Sequence, residues 1–383
     1  MSGDERWARC LISSASGDEA PVDSWPDPDG APWLVDYGLD PGRGRELLER
    51  LARRRAGLWR WRELLPVRDV AQRVDLGEGG TPLVPLRRAA PPGIDVLVKQ
   101  EAGNPTGSFK ARGLAVAITR ARELGAPGVE LASAGNAALA ATAYAARAVL
   151  PCRVALPVDT PRSIQERCRL LGAEVLVSGR TLVESAAALK ERATGFWNLA
   201  TLREPWRLEG KKTMGLELAE QLGWRLPDWI LYPTGGGTGL IGMFRAFAQL
   251  RALGLVAAED RPRFVAVQMA GCAPIVRAFE QGAERAQTWE SPATRVWGLR
   301  VPRAVGDSLI LQALRESDGL AIAVAEEAVE PARTRLAREE GIEAGPEGAA
   351  CYVALEHLAA NGTIAPNTRV VLFQTGHPLN YAD

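Results

Sequence analysis

The sequence predicts an α/β protein built on doubly wound, open parallel sheet, and three observations carry that expectation. From Asp95 onward, short β-rich runs alternate with longer runs of helical periodicity. The joints between them are rich in glycine and other small residues rather than in hairpin turns. The chain has 383 residues, 46% of them apolar and 24% charged, enough for two or three ordinary globular domains.

Residues 1–75 stand apart. They hold a Pro/Asp/Gly-rich piece, Pro26–Gly30, and a basic helical stretch, Arg45–Arg55, and read as an extension packed on the main body. The predicted strands are Val96–Lys99, Val129–Ala132, Arg153–Leu156, Val175–Val177, Phe196–Asn198, Trp229–Tyr232, Phe264–Gln268, Ala321–Val324 and Val370–Phe373. The predicted helices are Ser108–Leu124, Asn136–Ala148, Arg162–Leu171, Leu182–Thr194, Lys211–Leu222, Thr238–Leu253, Glu326–Glu340 and Glu347–Ala360. In such sheets ligands sit beyond the carboxyl ends of the strands, in the turns that open the next helices.

Composition narrows the chemistry. The 46 Lys and Arg balance 46 Asp and Glu, so nothing points to nucleic acid or an anionic membrane surface. With only His357 and His377, a multi-His metal site is excluded, and the expectation is no metal. Five cysteines without a Cys-x-x-Cys pair read as reduced thiols. The start Met-Ser-Gly-Asp-Glu-Arg is not a basic-then-apolar leader, and charge-free stretches such as Leu131–Ala146 are short of a membrane span. A cytoplasmic protein without membrane or nucleic-acid partners is expected.

Three turns have unusual chemistry. In Gly103–Gly113, Lys110 stands in the first turn of a helix, where the dipole disfavours an ammonium and lowers its pKa, as a Schiff-base nucleophile requires. A solvated lysine at a loop edge is the ordinary alternative. In Ala132–Ala137, free backbone N–H groups can hold a carboxylate beside the Asn136 amide, although Asn also serves as a plain helix N-cap. In Tyr232–Leu240, Gly235, Gly236 and Gly237 precede Thr238 and Gly239, so the backbone can wrap an anion at a helix N-terminus. Gly237, Gly239 and Gly242 also match a dinucleotide fingerprint, but no acidic residue ends the next strand, Val267–Ala270. A reactive lysine, an amide with free N–H groups, and a phosphate cup together indicate pyridoxal phosphate.

The order and spacing of Asn104–Gly113, Ser133–Asn136 and Gly235–Thr238 resemble the fold-type II pyridoxal-phosphate enzymes, the tryptophan synthase β superfamily. Within it, the detail is similar to threonine synthase. The similarity rests on Leu58–Val67, Gly77–Leu83, Arg207–Thr213, Pro227–Trp229, Gly345–Ala350 and Gln374–His377, and runs from about Leu58 to Tyr381. It implies two doubly wound open parallel-sheet domains: a large cofactor domain of residues 76–112 and 205–383, and a small substrate-side domain of 113–204. It implies a homodimer acting on a small amino acid. Lys110 would be the Schiff-base lysine and proton shuttle, and Asn136 would meet the ring 3′-hydroxyl. Ser133, Ala134, Gly135 and Ala137 would surround the substrate α-carboxylate. Gly235, Gly236, Gly237, Thr238 and Gly239 would hold the cofactor phosphate, and Thr375 would sit at the pyridine nitrogen.

The departures from that pattern concern the substrate. Ala111 replaces the usual Asp after the lysine, Ala134 replaces a Thr, and Thr375–Asn380 reads Thr-Gly-His-Pro-Leu-Asn where Thr-Gly-His-Gly-Leu-Lys is usual. Only Cys10 remains of a zinc-ribbon-like lead-in. Threonine synthase chemistry on O-phosphohomoserine needs a second anion site, for which Arg112, Arg162, Arg207 and Lys211 are the candidates. A serine/threonine dehydratase, or a β-replacing synthase such as a cysteate synthase, needs none.

Overall fold

The computed structural model describes residues 6–25, 31–133, 135–192 and 195–381. In chain order its strands are β1 Ala8–Ser13, β2 Glu19–Pro21, β3 Trp33–Tyr37, β4 Leu83–Pro85, β5 Asp95–Gln100, β6 Val129–Ala132, β7 Cys152–Leu156, β8 Glu174–Val177, β9 Trp197–Asn198, β10 Trp229–Pro233, β11 Arg263–Met269, β12 Leu320–Val324 and β13 Arg369–Gln374. Its α-helices are α1 Pro41–Leu51, α2 Lys110–Glu123, α3 Asn136–Ala148, α4 Arg162–Leu170, α5 Leu182–Lys190, α6 Trp206–Gln221, α7 Thr238–Ala252, α8 Pro274–Glu280, α9 Asp307–Glu316, α10 Val329–Glu340 and α11 Pro346–Ala360.

The chain forms two compact units. One comprises residues 1–80, 104–213 and 379–383, the other 81–103 and 214–378. The expected boundary at residue 113 lies inside α2, and the one at 205 just ahead of α6. The divisions instead fall at Gly103/Asn104 and, within α6, at Thr213/Met214.

In the first unit, β6–β9 make a four-stranded parallel sheet in the order β8-β7-β6-β9. Every residue of β7 is buried, as expected of a parallel strand covered on both faces. Alanine-rich α2 and α3 pack closely, and Leu114, Ile118, Leu139, Tyr144, Val154 and Trp206 share the core. A separate antiparallel sheet, β2-β1-β3, arises from the extension, where no strands were expected. Its strands are short and uneven in pattern, and Pro26–Gly30 lies outside the described residues.

The second unit holds a six-stranded sheet, β12-β11-β10-β13-β5-β4, parallel except for β4. Val96, Leu231, Val265, Leu355 and Leu372 belong to its core. The structure adds α8 and α9, which lie in a stretch that carried no helix expectation. It also starts α6 five residues early, because Glu204 Oε2 accepts from the backbone N–H groups of Trp206 (2.7 Å) and Arg207 (2.8 Å).

Candidate active site

Lys110 is the first residue of α2, as its sequence context predicts, and is half-buried. Its Nζ lies 4.3 Å from the centroid of the Phe109 ring. Two residues earlier the Ser108 hydroxyl is fully buried and has no hydrogen-bond partner, and the same holds for Thr106 Oγ1. A buried hydroxyl without a partner costs free energy, so this loop is built for a polar group it must still receive.

At the head of α3, Ser133 rather than Asn136 satisfies the helix start. Its Oγ accepts from the N–H groups of Gly135 and Ala138, both at 3.2 Å. That removes the plain N-cap alternative for Asn136 and consumes the Gly135 N–H internally. Asn136 Nδ2 instead donates to the Tyr381 hydroxyl, and its Oδ1 accepts from Asn380 Nδ2, each at 2.8 Å. Ala134 lies outside the described residues. The contribution of Asn380 and Tyr381 was not anticipated. The only signal was the unusual Pro378-Leu379-Asn380 after Thr375-Gly376-His377.

In the second unit, the glycine turn follows β10 and opens α7. β10 lies between β11 and β13, and Thr375 leaves the same end of the neighbouring β13 (Leu231 pairs with Leu372). Three glycines of the turn are demanded by the protein itself. A Cβ on Gly235 would overlap the Gly298 carbonyl, one on Gly237 (φ +69°) the Ile310 side chain, and one on Gly239 the Tyr232 ring. Gly236 is the half-buried one, between fully buried neighbours. Thr375 and Thr238 are buried.

The four candidate cations separate sharply. Arg162 is exposed and pairs with Glu166 one turn along α4 at 2.7 Å, an ordinary surface ion pair. Arg112 is fully buried and donates to Thr213 Oγ1 at 3.1 Å. Arg207 is 2% exposed; it donates to the Leu199 carbonyl, while its Nε and Nη2 have no partner. Lys211 is fully buried, with Nζ 5.4 Å from the centroid of the Phe109 ring that Lys110 also faces. A Cβ on Gly113 would lie 2.8 Å from the Arg207 carbonyl, and one on Gly210 would overlap the Arg112 carbonyl. The two helix starts therefore cross backbone to backbone, which brings Lys211 to Lys110. Burial, then the charges of Arg207 and Lys110, hold the Lys211 ammonium well below the ordinary lysine range, against Glu204. Burial pushes the Glu204 carboxyl up to about 7, opposed by Arg207, by the two backbone N–H bonds and by Lys211.

The donor set suits pyridoxal phosphate. One unit offers an amine at a helix head beside buried, unpartnered hydroxyls; the other offers a glycine turn at the head of α7. Among the described residues no group of three or more His, Cys, Asp or Glu could hold a metal ion. No described helix is long and apolar enough to cross a membrane.

Residues 74–376 match the family described as pyridoxal-phosphate dependent enzyme. The chain is 34% identical to a threonine synthase of Methanocaldococcus jannaschii, over 88% of this chain and 83% of that one. It is 36% identical to a threonine synthase of Methanosarcina acetivorans, over 90% and 85%. Among solved structures, maize serine racemase superposes with a TM-score of 0.67 at 21% identity, covering 91% of this chain and 95% of that one. A bacterial threonine deaminase, from T.th., superposes with a TM-score of 0.62 at 28% identity, covering 77% and 92%. The α/β architecture with parallel sheets is that of these fold-type II enzymes. The chain therefore belongs to the pyridoxal-phosphate dependent enzymes, as a lyase whose relatives over most of its length are threonine synthases.

Proposed function

We propose that this enzyme converts O-phosphohomoserine and water to threonine and phosphate. The observation that carries the reading is the 34–36% identity to threonine synthases across nearly nine-tenths of the chain. Lys110 stands at a helix head, where a covalent cofactor lysine is expected.

Pyridoxal phosphate, when bound, supplies an electron sink for negative charge at the carbons next to the substrate amino group. Lys110 carries the cofactor and then, as a free amine, moves protons, first from Cα and then onward along the side chain. Phosphate leaves from Cγ and water adds at Cβ. Gly235–Gly239 with Thr238 hold the cofactor phosphate, and Asn136 donates to the ring oxygen. Thr375 meets the pyridine nitrogen, where a hydroxyl leaves it unprotonated and tempers the sink. Ser133 to Ala137 receive the substrate carboxylate. For the substrate phosphate, the buried Arg207 with two unpartnered N–H-bearing atoms and the neighbouring Lys211 are favoured over Arg162, which is tied to Glu166 in solvent. The first compact unit is read as the substrate side and the second as the phosphate-holding side of the cofactor. The enzyme is read as a cytoplasmic homodimer.

A second reading, elimination from serine or threonine or replacement at Cβ, is favoured by Ala111, which removes a carboxylate next to Lys110. The fold likeness to the threonine deaminase at 28% identity supports it too. The test is incubation of the holoenzyme with O-phosphohomoserine, serine, threonine and O-phosphoserine, following phosphate and keto-acid release. Phosphate with threonine from O-phosphohomoserine supports the first reading. Keto acid from serine or threonine without phosphate release from O-phosphohomoserine overturns it.

A further inference from the structure

The segment Pro378–Tyr381 reaches the head of α3 through a chain of hydrogen bonds whose polarity is fixed at one end. Asn380 is almost fully buried. Its Oδ1 accepts from Arg167 Nη1 on α4 at 2.8 Å. A guanidinium only donates, so the oxygen of the Asn380 amide must face Arg167 and its nitrogen must face the other way. There Nδ2 meets the carbonyls of Thr106 (3.2 Å) and Gly107 (3.3 Å), and Asn136 Oδ1 at 2.8 Å. Because Asn136 accepts from Asn380, its own nitrogen points to the Tyr381 hydroxyl. Nδ2 carries two N–H groups, and Tyr381 takes one.

Gly107 carries an imprint of the same contact. It sits at φ +71°, and a Cβ there would lie 2.8 Å from Asn380 Nδ2. One buried amide thus ties together the loop leading to Lys110, the head of α3 and α4.

We propose that Arg167, Asn380 and Tyr381 are positioning residues that lock the Asn136 amide as a hydrogen-bond donor toward the ring oxygen of pyridoxal phosphate. The inference rests on the reading that Asn136 meets that oxygen. A donor stabilises the ionised form of the oxygen, and an amide turned over would place a carbonyl against it.

The test uses holoprotein of wild type, Asn136→Ala, Asn380→Asp and the double variant, with Arg167→Met as a second way to release the polarity should Asn380→Asp fail to fold. An aspartate at 380 still accepts from Arg167 but presents an oxygen to Asn136, which turns that amide over. Two readouts are taken at fixed pH. One is the ratio of the visible to the near-ultraviolet absorption band of the bound cofactor; the other is the cofactor dissociation constant by fluorescence titration. Asn380→Asp and Arg167→Met are expected to lower the band ratio and to weaken cofactor binding roughly tenfold, the scale of one hydrogen bond to a charged group. The double variant should be no worse than Asn136→Ala, because both changes act through one amide. If Asn136→Ala alters both readouts while Asn380→Asp and Arg167→Met lower only the melting temperature, the positioning role is overturned and the site reading stands. If Asn136→Ala leaves both readouts at wild-type values, the underlying placement of Asn136 falls, and this inference with it.

Discussion

Lys110 opens a helix at the end whose dipole repels its charge, and the Phe109 ring and the second lysine, Lys211, crowd the same space. Lys110→Ala should remove the yellow colour of the holoprotein and abolish activity. Borohydride reduction followed by peptide mass spectrometry should label Lys110 alone. Label on Lys99 would contradict the assignment, since Lys99 is fully buried against Glu217 and Gln221. The glycine turn separates two roles that the sequence presents as one. Gly239→Ala should lower the melting temperature, because its Cβ meets the Tyr232 ring. Gly236→Ala should leave melting of the apoprotein nearly unchanged and raise the cofactor dissociation constant about tenfold or more, because that residue alone of the turn is incompletely buried.

Glu204 gives a pH signature. Its carboxyl is raised from the ordinary 4.5 to about 7 by burial, so the folded protein holds this proton more tightly than the unfolded chain does. Its contribution is fully present below about pH 4.5 and is lost as pH rises through about 7, on the order of a few kcal/mol. Glu204→Gln mimics the protonated form and keeps an oxygen for the Trp206 and Arg207 N–H groups. Melting curves across that window should fall less steeply with pH in the variant; identical slopes would show that Glu204 does not titrate there.

At the scale of elements, β3 of the extension is bound to α6. The Tyr37 hydroxyl donates to Glu209 Oε2 at 2.6 Å, Lys212 pairs with the same carboxylate, and its Nζ lies 3.9 Å from the centroid of the Tyr37 ring. The ion pair is fully buried, so its remaining partners matter more than in water. Tyr37→Phe keeps the packing and removes one hydrogen bond to a charged group, and should destabilise the protein by about 1.5–3 kcal/mol in urea unfolding. A change within error would mean that the extension does not support the segment carrying Arg207 and Lys211. The β-strand and helix positions from Asp95 onward were legible because period and length differ so clearly between buried parallel strands and the helices between them. The extension was not legible, because strands as short as Glu19–Pro21 carry no period.

For the whole molecule, cofactor binding should appear as stability. Saturating pyridoxal phosphate at about a thousand times its dissociation constant adds roughly 4 kcal/mol to a state that alone binds it. Calorimetry should show a melting temperature that rises with cofactor concentration in wild type and much less in Lys110→Ala; equal rises would place the cofactor elsewhere. The sequence by itself determined the α/β class, the helix-head position of Lys110, the glycine turn after β10, and the family. Each of these is written in contiguous residues, whose spacing fixes local backbone geometry. Only the tertiary structure decided which cations are buried, since Arg162 and Arg207 look alike as letters but differ in what surrounds them. It alone showed that Gly235, Gly237 and Gly239 answer to Gly298, Ile310 and Tyr232, and that Asn380 reaches Asn136 from 244 positions away. Burial and hydrogen-bond polarity depend on neighbours supplied by distant parts of the chain, and no local pattern encodes them.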